Sequence, residues 1–283
     1  MDTIDALILG IVQGLAEYLP VSSSGHLELC RQLLGVELDG GVSLEFDIML
    51  HVATVLSTVV VLWQEFVPLC KSFFTFSLDS NFRYVMKIFV SCIPVAIVGL
   101  CFKDTVEQFF NGNLTVVGSC LIATSLLLAF AYYFRTSPLM KTRREGAGTV
   151  PYTPRDINFL DAFVIGIAQA VAVLPGLSRS GSTIATGILI GDKREQVAQF
   201  SFFMVIIPIL GEALLDLKDI LSPGTEAVAE ATIGAGPMLA GFLASFIVGC
   251  LACKWMINLV KKGKLIWFAA YCLIVGLIAV IAG

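Results

Sequence analysis

Six long apolar segments decide what this chain can fold into. They cover about residues 46–63, 84–103, 114–134, 198–216, 236–256 and 265–282. Each is long enough to cross ~30 Å of hydrocarbon as a helix, and two of them, at 114–134 and 265–282, contain no charged residue. Across the chain 57% of residues are hydrophobic and 14% are charged, a balance that soluble domains do not have. The sequence therefore predicts an all-α integral membrane protein with six transmembrane helices.

Two further apolar segments, at about 4–17 and 160–174, are too short to span a membrane. Each stops at a proline in a polar turn rich in Gly and Ser, and a second short segment follows, at about 24–35 and 181–191. Helices broken in this way are tolerated where the irregular backbone is buried in protein or lines a cavity. We therefore expect two re-entrant helical hairpins in addition to the six spans.

The loops between the apolar segments fall into two groups by charge. Those at 64–83, 135–157, 192–197 and 254–264 contain 13 Lys and Arg residues, whereas the loops of the other group contain only Lys218. Because basic loops stay in the cytoplasm, this asymmetry predicts that the first group is cytoplasmic and that both termini are extracytoplasmic. The acidic N-terminal segment predicts no cleaved signal peptide.

Threading the chain with this orientation gives two halves of opposite topology. The first repeat, residues 1–140, contains a re-entrant hairpin at about 4–35 and three spans. The second repeat, residues 158–283, contains a hairpin at about 158–191 and three spans, and residues 141–157 form a cytoplasmic linker between them. This inverted repeat is an arrangement in which broken helix ends meet near the membrane interior.

The two hairpins contain nearly the same motif. Aligning Gly25 with Gly181 sets Ser22-Ser23-Ser24-Gly25 against Ser178-Arg179-Ser180-Gly181, and each motif follows a Gly-Ile-x-Gln sequence and a proline. The copies differ in their ionisable residues, because the first contains Glu17 and His26 and the second contains Arg179. Together they predict a composite pocket for an anion.

Glu17 and Arg179 each allow a structural and a functional interpretation. Gln13 and Glu17 are four residues apart and face the same side of the first half-helix, and an ionisable residue inside a membrane segment indicates a functional site by default. The alternative is an interfacial Glu17 whose carboxylate reaches water. The planar guanidinium of Arg179 suits phosphate oxygens, and the alternative there is a structural salt bridge to Glu17.

The serine loops predict anion binding, because hydroxyls and free backbone N–H groups at a helix start can cradle a phosphate, although serines also cap helices for structural reasons. The residues assigned to substrate binding are Gln13, Ser22, Ser24, Gly25, Ser178, Ser180, Gly181 and Thr183. His26 closes the first serine loop and is assigned a catalytic role. His51 is interpreted as a structural hydrogen-bonding residue, although Asp47, one turn earlier, is placed to orient it.

The sequence Gln13-x-x-x-Glu17 with Pro20-Val21-Ser22-Ser23-Ser24-Gly25-His26, followed by Pro175-Gly176-Leu177-Ser178-Arg179-Ser180-Gly181-Ser182-Thr183, resembles a known pair of motifs. They are the signature motifs of the undecaprenyl-diphosphate phosphatase family, the bacitracin-resistance phosphatases of bacterial inner membranes. The resemblance extends over essentially the whole chain. It implies hydrolysis of undecaprenyl diphosphate to the lipid phosphate used in cell-wall synthesis, with a divalent cation, Mg²⁺ or alternatively Ca²⁺, as cofactor.

The resemblance also implies roles for individual residues. The family's carboxylates correspond to Gln13 and Glu17, its serine loop to Ser22 and Ser23, its histidine to His26 and its arginine to Arg179. The first of these positions is Glu or Gln in the family and Gln13 in this chain, so that Glu17 alone supplies a negatively charged metal ligand there. The diphosphate would then have to supply more of the coordination, as suits Mg²⁺.

The resulting hypothesis is metal-assisted phosphoryl transfer. Arg179 and the serine-loop amides hold the terminal phosphate, and Glu17 binds the cation. Ser23 is the predicted nucleophile with His26 as its base, and the alternatives are direct attack by His26 and attack by an activated water.

A rival function from another class is a transporter or flippase of a lipid phosphate or another anion, because inverted repeats with broken helices are also a transporter architecture. Phosphate release by the purified protein would favour the enzyme, and anion exchange without phosphate release would favour the transporter. The expected partners are a polyprenyl diphosphate and the bilayer of the bacterial inner membrane. The net charge of −4 gives no support for nucleic-acid binding, and the oligomeric state, including a homodimer, stays open.

Overall fold

The computed structural model of the protein describes residues 1–36, 40–102, 113–136, 142–145, 148–151, 154–221 and 233–283. In these residues the chain is mainly helical, with one short antiparallel ribbon of β1 (Thr142–Glu145) and β2 (Gly148–Pro151) inside the predicted linker. The helices are α1 (Thr3–Ala16), α2 (Ser23–Leu34), α3 (Gly40–Val61), α4 (Trp63–Phe74), α5 (Ser80–Cys101), α6 (Leu114–Thr136), α7 (Phe159–Val171), α8 (Arg179–Ile190), α9 (Arg194–Met204), α10 (Ile206–Leu221), α11 (Ala235–Lys261) and α12 (Ile266–Ala282).

Several of these helices have the length and composition of membrane spans. Within the described residues, three pass on both counts, namely α5, α6 and α11. A fourth candidate is the pair formed by Glu45–Val61 of α3 and by α4, which are bent by 93° relative to each other. The helices α1, α7 and α12 are apolar but shorter. A chain with such helices is a membrane protein.

The segment predicted as a span at 198–216 is broken in the structure. It lies across the junction of α9 and α10, where α9 ends at Met204. Pro208 is the physical reason, since it has no N–H to donate to the carbonyl of Met204 and its ring would clash with that carbonyl in a continuous helix. The Met204 carbonyl instead accepts a hydrogen bond from the Sγ of Cys92 at 3.5 Å.

Both predicted hairpins consist of two helices separated by a short turn, and the duplicated sequence forms duplicated local structure. The first helix of each hairpin begins with a capping box, formed by Asp2 with Asp5 in α1 and by Asn158 with Asp161 in α7. Such reciprocal caps satisfy backbone N–H groups that have no partner inside the helix.

The second helix of each hairpin begins with a serine N-cap. The Oγ of Ser22 accepts a hydrogen bond from the N–H of Gly25 at 3.3 Å, and the Oγ of Ser178 accepts one from the N–H of Gly181 at 3.0 Å. Ser23 and Arg179, which the sequence alignment equates, are therefore the first residues of α2 and α8.

Close packing on the opposite half fixes the first helix of each hairpin. α1 lies mainly against α11, α7 lies mainly against α5, and α6 lies against α12. A Cβ atom added at Gly14 of α1 would come within 2.7 Å of the Ser245 carbonyl oxygen of α11. Small residues of this kind let helices approach closely in a membrane, where packing rather than hydrophobicity drives their association. The end of α1, which carries Glu17, is thus held by the second half of the chain.

Candidate active site

Glu17 is the centre of the candidate site. It caps the C-terminus of α1, and its side chain is only 7% exposed. Its Oε1 accepts a hydrogen bond from the Nη2 of Arg179 at 2.9 Å. Its Oε2 accepts hydrogen bonds from Ser23 Oγ at 2.8 Å and from Gln13 Nε2 at 3.0 Å. One carboxylate therefore joins residues of both sequence motifs.

The duplication explains why Ser23 and Arg179 meet at this carboxylate. They are the equivalent first residues of α2 and α8, and each follows a serine that caps its helix. The two helix starts approach the end of α1 from the two halves of the chain, so that a hydroxyl and a guanidinium reach opposite oxygens of Glu17. The sequence prediction of a composite site agrees with this geometry, and so does the alternative prediction of a Glu17–Arg179 salt bridge.

The backbone at Ser22 is unusual. Its φ of 71° lies in the left-handed region, which a residue with a Cβ atom seldom occupies unless its surroundings hold it there. Two contacts do so, since the Ser22 hydroxyl caps α2 and its carbonyl oxygen lies 2.8 Å from Nδ1 of His26. This turn sets the direction in which α2 starts and hence the position of Ser23.

Both ring nitrogens of His26 are hydrogen-bonded to residues other than Ser23. A carbonyl can only accept, so Nδ1 of His26 donates to Ser22, and Nε2 accepts the hydroxyl hydrogen of Tyr271 at 2.8 Å. The two rings are also stacked, with centroids 5.5 Å apart. The predicted pairing of Ser23 with His26 is therefore not the arrangement in the structure, where Ser23 pairs with Glu17 because the turn at Ser22 directs His26 toward α12.

Most of the other residues predicted to bind substrate are engaged in hydrogen bonds within the protein. Ser180 donates to the Leu19 carbonyl at 3.1 Å, and Thr183 donates to the Arg179 carbonyl at 2.9 Å and bonds Ser201 at 2.6 Å. The hydroxyls of Ser22 and Ser24 are 3.5 Å apart, as are those of Ser178 and Ser180, and the N–H groups of Gly25 and Gly181 are occupied by the caps. These residues shape the turns that present Ser23 and Arg179.

A small pocket lies beside Glu17 and Arg179. Its volume of ≈ 10 Å³ is about that needed for a single water molecule. Polar residues that line it are Tyr18, Thr54, Thr58, Ser180 and Ser201. A guanidinium has five N–H donors, and the contact with Glu17 uses only Nη2 of Arg179, so a phosphate competes with Glu17 for that part of the fork.

One residue of the site was missed by sequence reasoning. His51 of α3 has its Nε2 3.6 Å from Glu17 Oε2, and its Nδ1 lies 2.7 Å from the carbonyl oxygen of Asp47. Its side chain is 21% exposed. The available signal was an ionisable pair, Asp47 and His51, one turn apart in an apolar segment, which is a functional indication in its own right.

A second group missed by sequence reasoning supports the turn after α1. The hydroxyl of Tyr18 is hydrogen-bonded to Ser57, to Thr58 Oγ1 at 2.8 Å and to the Thr54 carbonyl at 2.6 Å. Its ring meets the edge of Phe202 with centroids 5.1 Å apart. Tyr18, which follows Glu17 directly in the chain, therefore links this turn to α3 and to α9 of the second half.

The residues around Glu17 can be tested for their fit to a divalent cation. In the part of the chain that the structure describes, no group of three or more His, Cys, Asp or Glu side chains is placed to hold a metal, so a site must include other donors. Gln13 is fully buried, and its Oε1 has no hydrogen-bond partner although its Nε2 contacts Glu17. A buried amide oxygen without a partner costs free energy, and beside a carboxylate it is a suitable ligand for a hard cation.

Comparisons with known proteins show what the whole chain is similar to. A family model described as "Bacitracin resistance protein BacA" matches residues 6–278. A protein of Parabacteroides distasonis, named undecaprenyl-diphosphatase, is 52% identical over 280 residues, which cover 99% of this chain and 98% of that protein. Proteins of the same name from Bacteroides fragilis and Christiangramia forsetii are 52% and 42% identical, and in both cases the match covers 99% of this chain and 98% of the relative.

Proposed function

The chain belongs to the BacA family of bacitracin resistance proteins, and from this premise we propose that it is an undecaprenyl-diphosphatase. The reaction hydrolyses undecaprenyl diphosphate to undecaprenyl phosphate and inorganic phosphate. This recycles the lipid carrier of cell-wall synthesis and confers resistance to bacitracin. Relatives that carry this name are 52% identical over nearly their full length.

The observation that carries the proposal is the contact of one buried carboxylate with a hydroxyl and a guanidinium. Glu17 accepts hydrogen bonds from Ser23 at 2.8 Å and from Arg179 at 2.9 Å. A nucleophile beside a base, and a planar cation within reach of the reacting group, are what phosphoryl transfer requires. The site is built from both halves and lies among apolar helices, as suits a substrate with a lipid tail.

Substrate binding begins with an exchange of partners at Arg179. The terminal phosphate of the substrate carries more negative charge than a carboxylate and offers several oxygens, so it can draw the guanidinium away from Glu17 Oε1. The planar fork of Arg179 then holds two phosphate oxygens. This contact strengthens as charge develops on the transferring group.

The chemical step then uses the hydrogen bond between Ser23 and Glu17. The Oγ of Ser23 attacks the terminal phosphorus while its proton passes to the Glu17 carboxylate, and the bond from phosphorus to the bridging oxygen breaks. The leaving group is undecaprenyl phosphate. Glu17 gives this proton to the departing undecaprenyl phosphate and is a carboxylate again. A water molecule then attacks the phosphoserine, and its proton passes through Glu17 to the departing Ser23 Oγ, which releases inorganic phosphate and restores the Ser23 hydroxyl.

His26 has a positioning role in this scheme. Its Nδ1 donates to the Ser22 carbonyl and its Nε2 accepts from Tyr271, so it holds the strained turn that aims Ser23 at Glu17. The alternatives in which His26 attacks directly, or serves as the base for Ser23, require the ring to leave both partners. The structure therefore favours Glu17 as the base.

A divalent cation belongs to the proposal as a partner of Glu17. Glu17 and Gln13, whose Oε1 is buried without a hydrogen-bond partner and whose Nε2 contacts Glu17, would hold the ion, and their oxygens suit Mg²⁺ or Ca²⁺. Such an ion supplies neutralisation of the charge on the diphosphate. The oxygens of the substrate would supply its remaining ligands.

We also propose the membrane arrangement that the sequence predicts, with six spans and two re-entrant hairpins in an inverted repeat. The reciprocal packing of α1 on α11 and of α7 on α5 supports it, because in each case the first hairpin helix of one repeat lies against the second span of the other, as two related halves require. In this arrangement the linker at 141–157 is cytoplasmic and both termini are extracytoplasmic. The protein lies in the bacterial inner membrane, and the lipid tail of the substrate lies along its apolar helices.

The decisive experiment is a phosphate-release assay with purified protein and undecaprenyl diphosphate in detergent. We expect inorganic phosphate and undecaprenyl phosphate in equal amounts, and no turnover by Glu17→Gln. The matched assay for a transporter is exchange of labelled phosphate in liposomes containing the protein. Exchange without hydrolysis would contradict the proposed enzyme.

A further inference from the structure

His51 occupies a position at Glu17 that the mechanism above does not use. We propose that His51 is a ligand of the divalent cation, so that Glu17, Gln13 and His51 form a mixed oxygen and nitrogen site for a first-row transition metal such as Mn²⁺. This inference rests on the proposed function, because it assigns a further ligand and a metal preference to the same cation site.

The orientation of the imidazole is fixed by the backbone of α3. Nδ1 of His51 lies 2.7 Å from the Asp47 carbonyl oxygen, and since a carbonyl only accepts, Nδ1 carries the hydrogen. In the neutral ring Nε2 then has a lone pair, and this lone pair faces Glu17 Oε2. A histidine held at one nitrogen by a carbonyl while the other faces a cation is the usual arrangement of metal-binding histidines.

The distance between the two facing atoms fits two ligands of one ion. Nε2 of His51 and Oε2 of Glu17 are 3.6 Å apart, which is too far for a hydrogen bond. Two ligand atoms about 2.1 Å from one metal ion are about 3.0 Å apart at a right angle and about 3.4 Å apart at a tetrahedral angle. A small closure of the pair would therefore bring both atoms into coordination range.

Gln13 gives independent support for an ion at this point. Its amide is fully buried, donates from Nε2 to the same Oε2 of Glu17, and leaves Oε1 without a partner. Rotation of the amide by half a turn would exchange Nε2 for Oε1. A cation at Glu17 Oε2 would favour that rotation, because the cation needs an oxygen ligand. The rotated Gln13 Oε1 would then have the partner that it lacks in the structure.

A contact between α2 and α3 holds His51 in place. Arg31 of α2 forms an ion pair with Asp47 of α3. Asp47 lies one turn before His51, and Arg31 lies about two turns after Ser23. The backbone of Asp47 in turn orients His51. Ser23 and His51 are therefore kept at a fixed separation by a contact between α2 and α3 that does not itself touch Glu17.

Charge balance links cation binding to the substrate. Arg179 already neutralises Glu17 through Oε1, so an added divalent cation at Oε2 leaves an excess of positive charge. A phosphate group that binds both Arg179 and the cation removes this excess. We therefore expect phosphate to raise the affinity for the metal, and the metal to raise the affinity for phosphate by the same factor.

The nitrogen ligand also predicts which metal the site prefers. Imidazole suits first-row transition metals, whereas sites for Mg²⁺ and Ca²⁺ consist of oxygen ligands. With one imidazole, one carboxylate and one amide, Mn²⁺ should bind more tightly than Mg²⁺, because Mg²⁺ prefers oxygen ligands alone. A site formed by Glu17 and Gln13 alone would show no such preference for nitrogen-binding ions.

The test measures metal binding directly, with Mn²⁺ as the probe and the full-length protein in detergent. Binding is followed by the loss of the free Mn²⁺ signal in electron paramagnetic resonance, with and without inorganic phosphate. We expect His51→Ala to weaken Mn²⁺ binding by about 10²-fold. This is the upper end of the loss of metal affinity found when a residue that only supports the ligands is replaced. His26→Ala removes the chain's other histidine and should leave Mn²⁺ binding within a few-fold of the parent.

A spectroscopic measurement on the unaltered protein gives a result that does not depend on whether the variants fold. Electron spin-echo modulation of bound Mn²⁺ should show coupling to an imidazole nitrogen, and this coupling should be absent in His51→Gln. Bound Mn²⁺ without nitrogen coupling, or equal affinity in His51→Ala and the parent, would overturn the role of His51. In that case His51 is an ion-pair partner of Glu17 only.

The same samples separate this inference from the proposed function. If Glu17→Gln abolishes Mn²⁺ binding while His51→Ala does not, the cation site stands and the histidine ligand fails. If the protein binds Mn²⁺ through His51 yet releases no phosphate from undecaprenyl diphosphate, the proposed reaction fails and the metal site stands.

Discussion

The exchange of a carboxylate for a phosphate that we propose at Arg179 gives a prediction at the scale of one residue. Arg179→Lys retains the charge, and an ammonium can still pair with Glu17. It cannot hold two phosphate oxygens in one plane. We expect kcat/KM to fall on the order of 10²-fold or more, as for the loss of a group that stabilises the transition state.

The control for this variant is Arg155→Lys. Arg155 is half exposed and pairs with Asp161 at the start of α7, away from the site, so its replacement should leave turnover unchanged. Turnover by Arg179→Lys close to that of the parent would mean that Arg179 supplies only a positive charge.

Ser23 gives a second prediction at this scale. If its Oγ forms the bond to phosphorus, substrate labelled in the terminal phosphate will transfer label to the protein as phosphoserine, which survives acid. Rapid acid quench should detect the label in the parent and not in Ser23→Ala.

Ser119→Ala is a suitable control for the label, because Ser119 donates to the Thr115 carbonyl within α6. An acid-labile label lost in His26→Ala would identify phosphohistidine and would refute the serine pathway. Absence of any label, with solvent oxygen appearing in the first phosphate released, would indicate direct attack by water.

At the scale of helices, the close approach of α1 to α11 yields a test of how the site is held. Gly14→Ala puts a Cβ atom 2.7 Å from the Ser245 carbonyl oxygen, so α1 must move. Overpacking of this kind costs roughly 1–3 kcal/mol of stability. The shift also displaces Glu17 from Arg179, so we expect a lower unfolding temperature together with reduced kcat.

The same substitution at Gly99 of α5 is the matched control. A Cβ atom there meets nothing within 4 Å, and replacing Gly by Ala inside a helix stabilises it by roughly 0.5–1 kcal/mol. Gly99→Ala should therefore raise or preserve the unfolding temperature and leave kcat unchanged. Equal behaviour of the two variants would show that the contact between α1 and α11 is loose.

The sequence predicts the hairpin helices better than the positions of the two histidines. The hairpin helices could be predicted because prolines, serine caps and glycines act locally, and the convergence of Glu17 with Arg179 followed from the duplicated motif. The direction of His26 could not, because it depends on the left-handed backbone of Ser22. The role of His51 could not either, since it depends on how α3 packs beside the end of α1.

At the scale of the whole molecule, the inverted repeat predicts the location of the loops. In a variant without native cysteines, Gly148→Cys should be inaccessible to a membrane-impermeant thiol reagent added to intact cells, and it should react after the membrane is opened. The basic residues of the linker provide the reason, as they favour the cytoplasm.

Thr225→Cys, in the loop between the segments at 198–216 and 236–256, is the control for the opposite side. It should react in intact cells. Labelling of Gly148→Cys from outside would contradict the predicted orientation. Labelling of both positions from the same side would contradict a topology in which these two loops lie on opposite sides of the membrane.

The equivalence of Ser23 and Arg179 at the starts of α2 and α8 has a consequence for descent. An ancestor with two identical copies would encode one residue at both positions, so that a hydroxyl and a guanidinium could not both be present. Fusion of the copies into one gene allows the two codons to diverge, one toward chemistry and the other toward recognition. After that specialisation neither copy can be deleted, and the two halves expressed as separate polypeptides should be active only when they are produced together.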